Sequence, residues 1–122
     1  MKLTAWLLVI DGTKNFAANG ELYKRIIDTQ FVPHPGVDEM ALWKTENDNI
    51  GLLWFVKHRF MDADGEWNVE LVNIVIDPND HWQDLIKNRT ASGSSVMRER
   101  SWYTNQDGDL MPKLINGGWV KY

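Results

Sequence analysis

The chain has 122 residues, with 17 acidic side chains against 13 Lys and Arg, and no cysteine. That length holds one hydrophobic core and one domain, residues 1–122, while the lack of cysteine excludes disulfides, thiolate zinc sites and cysteine nucleophiles. The same lack of cysteine is compatible with a reducing cytoplasm, the expected location, and a formal charge of −4 gives no general attraction to a phosphate backbone or an anionic membrane, so neither nucleic acid nor membrane is an expected partner.

Residues 3–10, LTAWLLVI, form a continuous apolar run closed by Asp11-Gly12. A run of this length and continuity predicts a first strand covered on both faces. A lysine precedes it, as in a signal peptide, but Asp11 ends the run early and no Ala-x-Ala site follows. No stretch approaches the ~20 apolar residues that span a bilayer. The next segment, NGELYKRIIDTQFVP, reads two ways. Leu22, Tyr23, Ile26 and Ile27 recur at helical spacing, whereas Thr29 to Val32 favours extension and Pro33 bars helix at Val32, which leaves short helix and twisted strand both open.

The stretch VPHPG, residues 32–36, predicts a rigid turn, with two prolines fixing φ. Three short strands should follow as an antiparallel meander: residues 38–45, 50–60 and 66–76, joined by polar turns at ENDN and at Asp62-Ala63-Asp64-Gly65. A proline-glycine lead-in followed by three such strands resembles the general plan of small Src-homology-3-like or Tudor-like barrels over residues 31–77. The resemblance is one of fold alone, with no family motif. The expected class is therefore mainly β (α+β), as a small antiparallel sheet or small barrel with one or two short helices.

Residues 77–89, DPNDHWQDLIKNR, predict a helix: Asp77 as cap, Pro78 at the first position, Asp80 at the positive dipole end, and Trp82, Leu85 and Ile86 as one apolar stripe. TASGSS at 90–95 reads as a flexible loop. The remainder predicts a further strand, a turn at NQDGD and a closing segment around Trp119 and Val120. The spacing from Phe60 to Asp64-Gly65-Glu66 echoes that from Tyr103 to Asp107-Gly108-Asp109 and suggests one hairpin grammar used twice.

The acidic knot before Trp67 invites a metal reading. A calcium loop needs oxygen ligands at alternating positions and a closing bidentate Glu, yet here the alternation stops after Asp62 and Asp64. A hairpin bend needs only Asp-Gly. Its pleat would place Lys57 and Arg59 on one face of the strand, with Trp54, Val56, His58 and Phe60 on the other, and would set Glu70 opposite Lys57 or Arg59. His34, His58 and His81 have no metal-ligand spacing among themselves. Asp62, Asp64, Asp107 and Asp109 could act as acid and base only if two loops met and one carboxyl had a raised pKa. No phosphate-cradling glycine loop, nucleophile elbow or zincin motif is present, so no cofactor or metal is expected.

Seven tryptophans stand out. Trp6, Trp54 and Trp82 are expected to face inward, while Trp43, Trp67, Trp102, Phe60 and Tyr103 fall near strand ends or turns, where aromatics anchor partners. Arg98, Arg100 and Trp102 share one face if extended. These seven candidates, Trp43, Phe60, Trp67, Arg98, Arg100, Trp102 and Tyr103, imply a non-enzymatic module that binds another protein, in the manner of a virus or mobile-element accessory protein that blocks a host factor. The alternatives are a small-molecule or nucleotide binder with an aromatic pocket, and a hydrolase using loop carboxylates.

Overall fold

The computed structural model describes residues 1–12, 19–76, 101–104 and 108–122. The expected helix over 77–89, the loop at 90–95, and His81, Trp82, Arg98, Arg100 and Asp107 lie outside the described residues. Strand β1 (Lys2–Asp11) is the axis of a mixed sheet. On one side it pairs antiparallel with β2 (Glu21–Asp28), from Lys2↔Asp28 to Val9↔Glu21. The ambiguous second segment is thus a strand along eight residues. Its ladder with β1 outweighs the helical spacing of its apolar residues, since propensity yields to tertiary pairing.

Strands β3 (Glu39–Lys44), β4 (Ile50–Met61) and β5 (Trp67–Leu71) form the expected antiparallel meander. The stretch from 66 to 76 is not one strand, however. It breaks at Val72-Asn73, where Val72 donates its N–H to Phe55 O and accepts the Trp54 indole N–H at 2.6 Å. The chain resumes as β6 (Ile74–Ile76), so β1 runs parallel to β5 at Leu3–Trp6 and parallel to β6 at Val9–Asp11. Beyond β6 lies the two-residue β7 (Trp102–Tyr103), again parallel. The mainly β architecture is as expected, and the sheet curls into a half-barrel in which β1 pairs in parallel with β5 and β6, and β6 with β7.

The inner face of β1 carries Leu3, Ala5, Leu7 and Val9, all buried against Tyr23, Trp54, Val56, Val69 and Leu71. Fully burying a side chain such as Leu or Val contributes roughly 1.5–3 kcal/mol, so this face holds the barrel together. The outer face is different: Thr4, Trp6 and Leu8 stay partly exposed. The continuous run therefore does not mean equal cover on both faces, and Trp6 points away from the core that Trp54 enters.

Two of the three register shifts in β3, β4 and β5 set which side chains face inward. In β3, Ala41 pairs with Leu53 and Trp43 with Leu52, which leaves Leu42 as the extra residue. Leu42 and Trp43 both enter the core as a result, and Trp43 is 8% exposed. In β4, Val56 pairs with Leu71 and His58 with Glu70, so Lys57 is extra. A bulge reverses the pleat beyond it. His58 and Phe60 consequently join the face opposite Trp54 and Val56, and not the same face as plain alternation predicted.

The free edge of β3 is covered by side chains from the far side of the curl. Arg25 of β2 donates from Nη1 to Ala41 O and Leu42 O at 3.3 Å each, and the Trp119 indole donates to Leu42 O at 2.8 Å. Burial holds the Arg25 pKa below its ordinary value. The second acidic loop departs from the expected hairpin: Gly108 has φ of 63°, but Asp109 then opens helix α1 (Leu110–Asn116). Leu110 and Leu114 are buried one turn apart, and Gly118, at φ 93°, ends the helix. Trp119 N–H to Leu114 O and Gly118 N–H to Ile115 O complete a Schellman cap. The cap delivers Trp119 to the core and leads into β8 (Val120–Lys121), which pairs with Tyr23 and Lys24.

Candidate functional site

The strand registers fix a lattice of side chains on the outer face. One row across the strands reads His58, Glu70, Trp6 and Lys24. A second reads Phe60, Asn68, Thr4 and Ile26. In a third, Leu8 lies beside Leu22, and Tyr122 follows because its N–H donates to Leu22 O at 2.9 Å. Trp6, Leu8, Leu22, Phe60, Glu70 and Tyr122 together line an apolar cleft of about 450 Å³. Phe60 reaches this cleft only because the Lys57 bulge turns it outward.

The ring of Tyr122 stands edge-on to Trp6, with centroids 5.2 Å apart and planes at 82°. Lys24 Nζ lies 5.7 Å from the Tyr122 ring centroid, within cation–π range. At the other wall, Glu70 meets His58 Nε2 at 3.1 Å and Lys57 Nζ at 3.7 Å. The expected cross-strand pairing of Glu70 with Lys57 is present, shared with His58. Arg59 turns the other way, donating to Val32 O and lying over the Trp67 ring at 5.6 Å.

The acidic knot is joined to this cleft by hydrogen bonds. Asp62 N–H bonds Glu66 O at 2.9 Å, Gly65 N–H bonds Asp62 O at 3.0 Å, and Gly65 has φ of 76°, which is a hairpin turn with a glycine bulge. Asp62 Oδ1 accepts from the N–H groups of Asp64 and Glu66, and Oδ2 accepts from Asn68 Nδ2 at 2.9 Å. Asn68 Oδ1 in turn accepts the Trp6 indole N–H at 2.9 Å. The knot thus acts through Asn68 to orient Trp6. Among the described residues no group of three or more His, Asp or Glu could hold a metal ion.

Of the carboxylates considered for acid–base work, Asp62 and Asp109 are held in their ionised form. The Asn68 side-chain hydrogen bond, with the turn N–H groups, holds Asp62 below its usual pKa. The Lys113 ammonium, bonded at 2.7 Å, does the same for Asp109. Asp62 and Asp109 also sit towards opposite ends of β1. Asp62 follows the Met61–Trp67 pairing beside Leu3, while Tyr103, which the Asp109 charge perturbs, pairs through Ile76 with Asp11. On the inner face, burial and the Glu21 carboxylate push Tyr23 up to about 12, and its hydroxyl donates to Glu21 at 2.6 Å.

The aromatic candidates read from sequence are therefore dispersed. Phe60, 41% exposed, lines the cleft. Trp43, expected near a strand end where it could meet a partner, is buried by the Leu42 bulge, its indole lying over Gly51. Trp67 packs beside the core under Arg59. Trp102 and Tyr103 sit at the far end of β1, where Trp102 closes on Gly12 and Val75. Trp6, Leu8, Leu22, Glu70 and Tyr122 are not site candidates in the sequence, where Trp6 is expected to face inward; the structure places it on the outer face. The only local signal for Trp6 was strand alternation within an otherwise apolar run, and for Phe60 the outward turn depends on a bulge. Among the described residues no helix is long and apolar enough to cross a membrane. Comparison with known proteins finds no matching family model, curated protein or solved structure, so the functional reading rests on this face alone.

Proposed function

We propose that the protein is a non-enzymatic binding module that engages a protein partner through the outer face of its sheet. The observation that carries this reading is the gathering of Trp6, Phe60 and Tyr122, from three separate parts of the chain, around one solvent-facing cleft. The Trp6 N–H is already satisfied by Asn68, so the indole offers its apolar surface to a partner at no hydrogen-bonding cost. Small-molecule sites bury most of their ligand in an enclosed pocket. Beyond this cleft the same face also exposes Ile26, at 56%, in the row that starts at Phe60, which suits an extended macromolecular contact.

The test is capture of a protein from native lysate by the wild type, identification of that protein, and titration of Phe60→Ala and Tyr122→Ala against it. A hot-spot residue is worth about 2 kcal/mol or more, which is roughly a 30-fold loss of affinity. Undiminished binding by both folded variants would remove the outer face from the contact. Stabilisation by a small metabolite, with no protein captured, would favour a ligand pocket in its place.

A further inference from the structure

The row through Trp6 carries opposite charges at equal distances on either side. Glu70 on β5 and Lys24 on β2 are both direct register partners of Trp6 on β1, so each lies one strand spacing, about 4.8 Å, from it. Consider two copies of this face laid against each other. A two-fold axis parallel to β1 and passing at Trp6 sets Glu70 of each copy opposite Lys24 of the other. An axis along the row would instead stack Glu70 on Glu70 and Lys24 on Lys24. The charge pattern is therefore self-complementary in one orientation and repulsive in the alternative, as an isologous contact requires.

The neighbouring row obeys the same operation. Phe60 lies two strands from Thr4 on one side and Ile26 one strand from it on the other, and the rotation brings each Phe60 to the Ile26 side of the other copy, one strand spacing beyond Ile26. Both are exposed in the single chain, at 41% and 56%. Apolar surface is thus covered as the charges pair. Glu70 keeps its own-chain neighbours Lys57 and His58 in either state, so the pairing adds a cation to an existing cluster.

We propose that a second copy of this chain covers the outer face in a two-fold pair, with the axis along β1 at Trp6 and Glu70 of each chain facing Lys24 of the other. This rests on the reading of the outer face as the contact surface and names its occupant in the free protein, which a foreign partner would have to displace.

Sedimentation of the full chain across a concentration series tests the pairing. The wild type is expected to dimerise, and Lys24→Glu and Glu70→Lys are each expected to weaken the dimer at least tenfold. Mixed in equal amounts, those two variants should form a heterodimer, because the first carries acidic groups on both sides of Trp6 and the second carries basic groups on both. Lys24→Gln and Glu70→Gln, which add no repulsion within the chain, should weaken self-association more mildly, and circular dichroism checks that every variant is folded. A wild type that stays monomeric at its highest soluble concentration overturns the pairing. So does a dimer that no charge variant weakens, or a mixture that fails to recover association. If the wild type is monomeric while Phe60→Ala still loses a captured protein, self-pairing fails and the module reading stands.

Discussion

The indole nitrogen of Trp6 and the side-chain amide of Asn68, 62 residues apart in sequence, are joined by a 2.9 Å hydrogen bond on the outer face of the sheet. Asn68 is the one polar residue among the described buried set, at 4% exposure, and its Nδ2 reaches Asp62 and Glu66 O. A buried amide that bridges a binding surface to a hairpin turn transmits the geometry of one to the other. Asn68→Ala should cost about 1–3 kcal/mol, because the Asp62 carboxylate and the Trp6 N–H both lose their partner. Urea unfolding measures this. A loss within about 0.5 kcal/mol, the range of an ordinary surface change, would mean that the network is not stabilising.

The same network predicts a pH dependence. Asp62 has a folded pKa below its unfolded value of about 3.9. Its contribution is therefore present above the unfolded value and lost as pH falls through the folded one. Asp62→Ala should be less stable than wild type at neutral pH, and the difference in urea midpoint should narrow as pH drops below about 4. The difference between the two proteins isolates Asp62 from Asp109 and Glu21, whose pKa values are also lowered. A gap that stays constant from neutral pH down to strong acid would contradict the assignment.

Two glycines on β4 and its hairpin should respond for different reasons. A Cβ at Gly51 would overlap the Trp43 indole, so Gly51→Ala must displace a core ring and should cost about 1–3 kcal/mol through overpacking. Gly65, at φ 76°, has nothing within 4 Å of an added Cβ. Its substitution by alanine should cost about 1 kcal/mol from backbone conformation alone. Tryptophan fluorescence separates the two, since only Gly51→Ala should alter the surroundings of Trp43.

Trp119 closes the half-barrel. It is 2% exposed, follows the Schellman cap, and with Arg25 bonds the edge of β3 at Leu42 O. Trp119→Ala should cost about 3–5 kcal/mol, in the range of large aromatic truncations. Trp119→Phe should cost less, close to the worth of one buried hydrogen bond, about 1 kcal/mol. Hydrogen exchange should then quicken first in α1 and β8. Equal losses for the two variants would mean that the indole N–H is the dominant contribution and the packing is minor.

Local chemistry was enough to define the meander and its bends. Asp62-Ala63-Asp64-Gly65 specifies a hairpin because Gly65 accepts positive φ and Asp62 can bond the turn N–H groups, and both properties belong to neighbours in the chain. The apolar run at 3–10 likewise announces β1 by itself. The helix at 110–116 was legible in principle, since Asp109, Pro112 and Gly117-Gly118 are start and stop signals, but the resemblance of this stretch to the first acidic hairpin masked it.

The cleft was decided elsewhere. Extra residues at Leu42 and Lys57 are invisible locally, because a bulge forms only when a partner strand imposes its register. One of them buries Trp43 and the other turns His58 and Phe60 outward, which reverses the side each was read to occupy. Segment 21–28 became a strand for the same reason: β1 offered a ladder that outweighed helical spacing. Sequence thus determined which stretches could be strands and where they turned. Tertiary pairing decided which face each side chain occupies, since the face depends on counting residues against a neighbour that is remote in the chain.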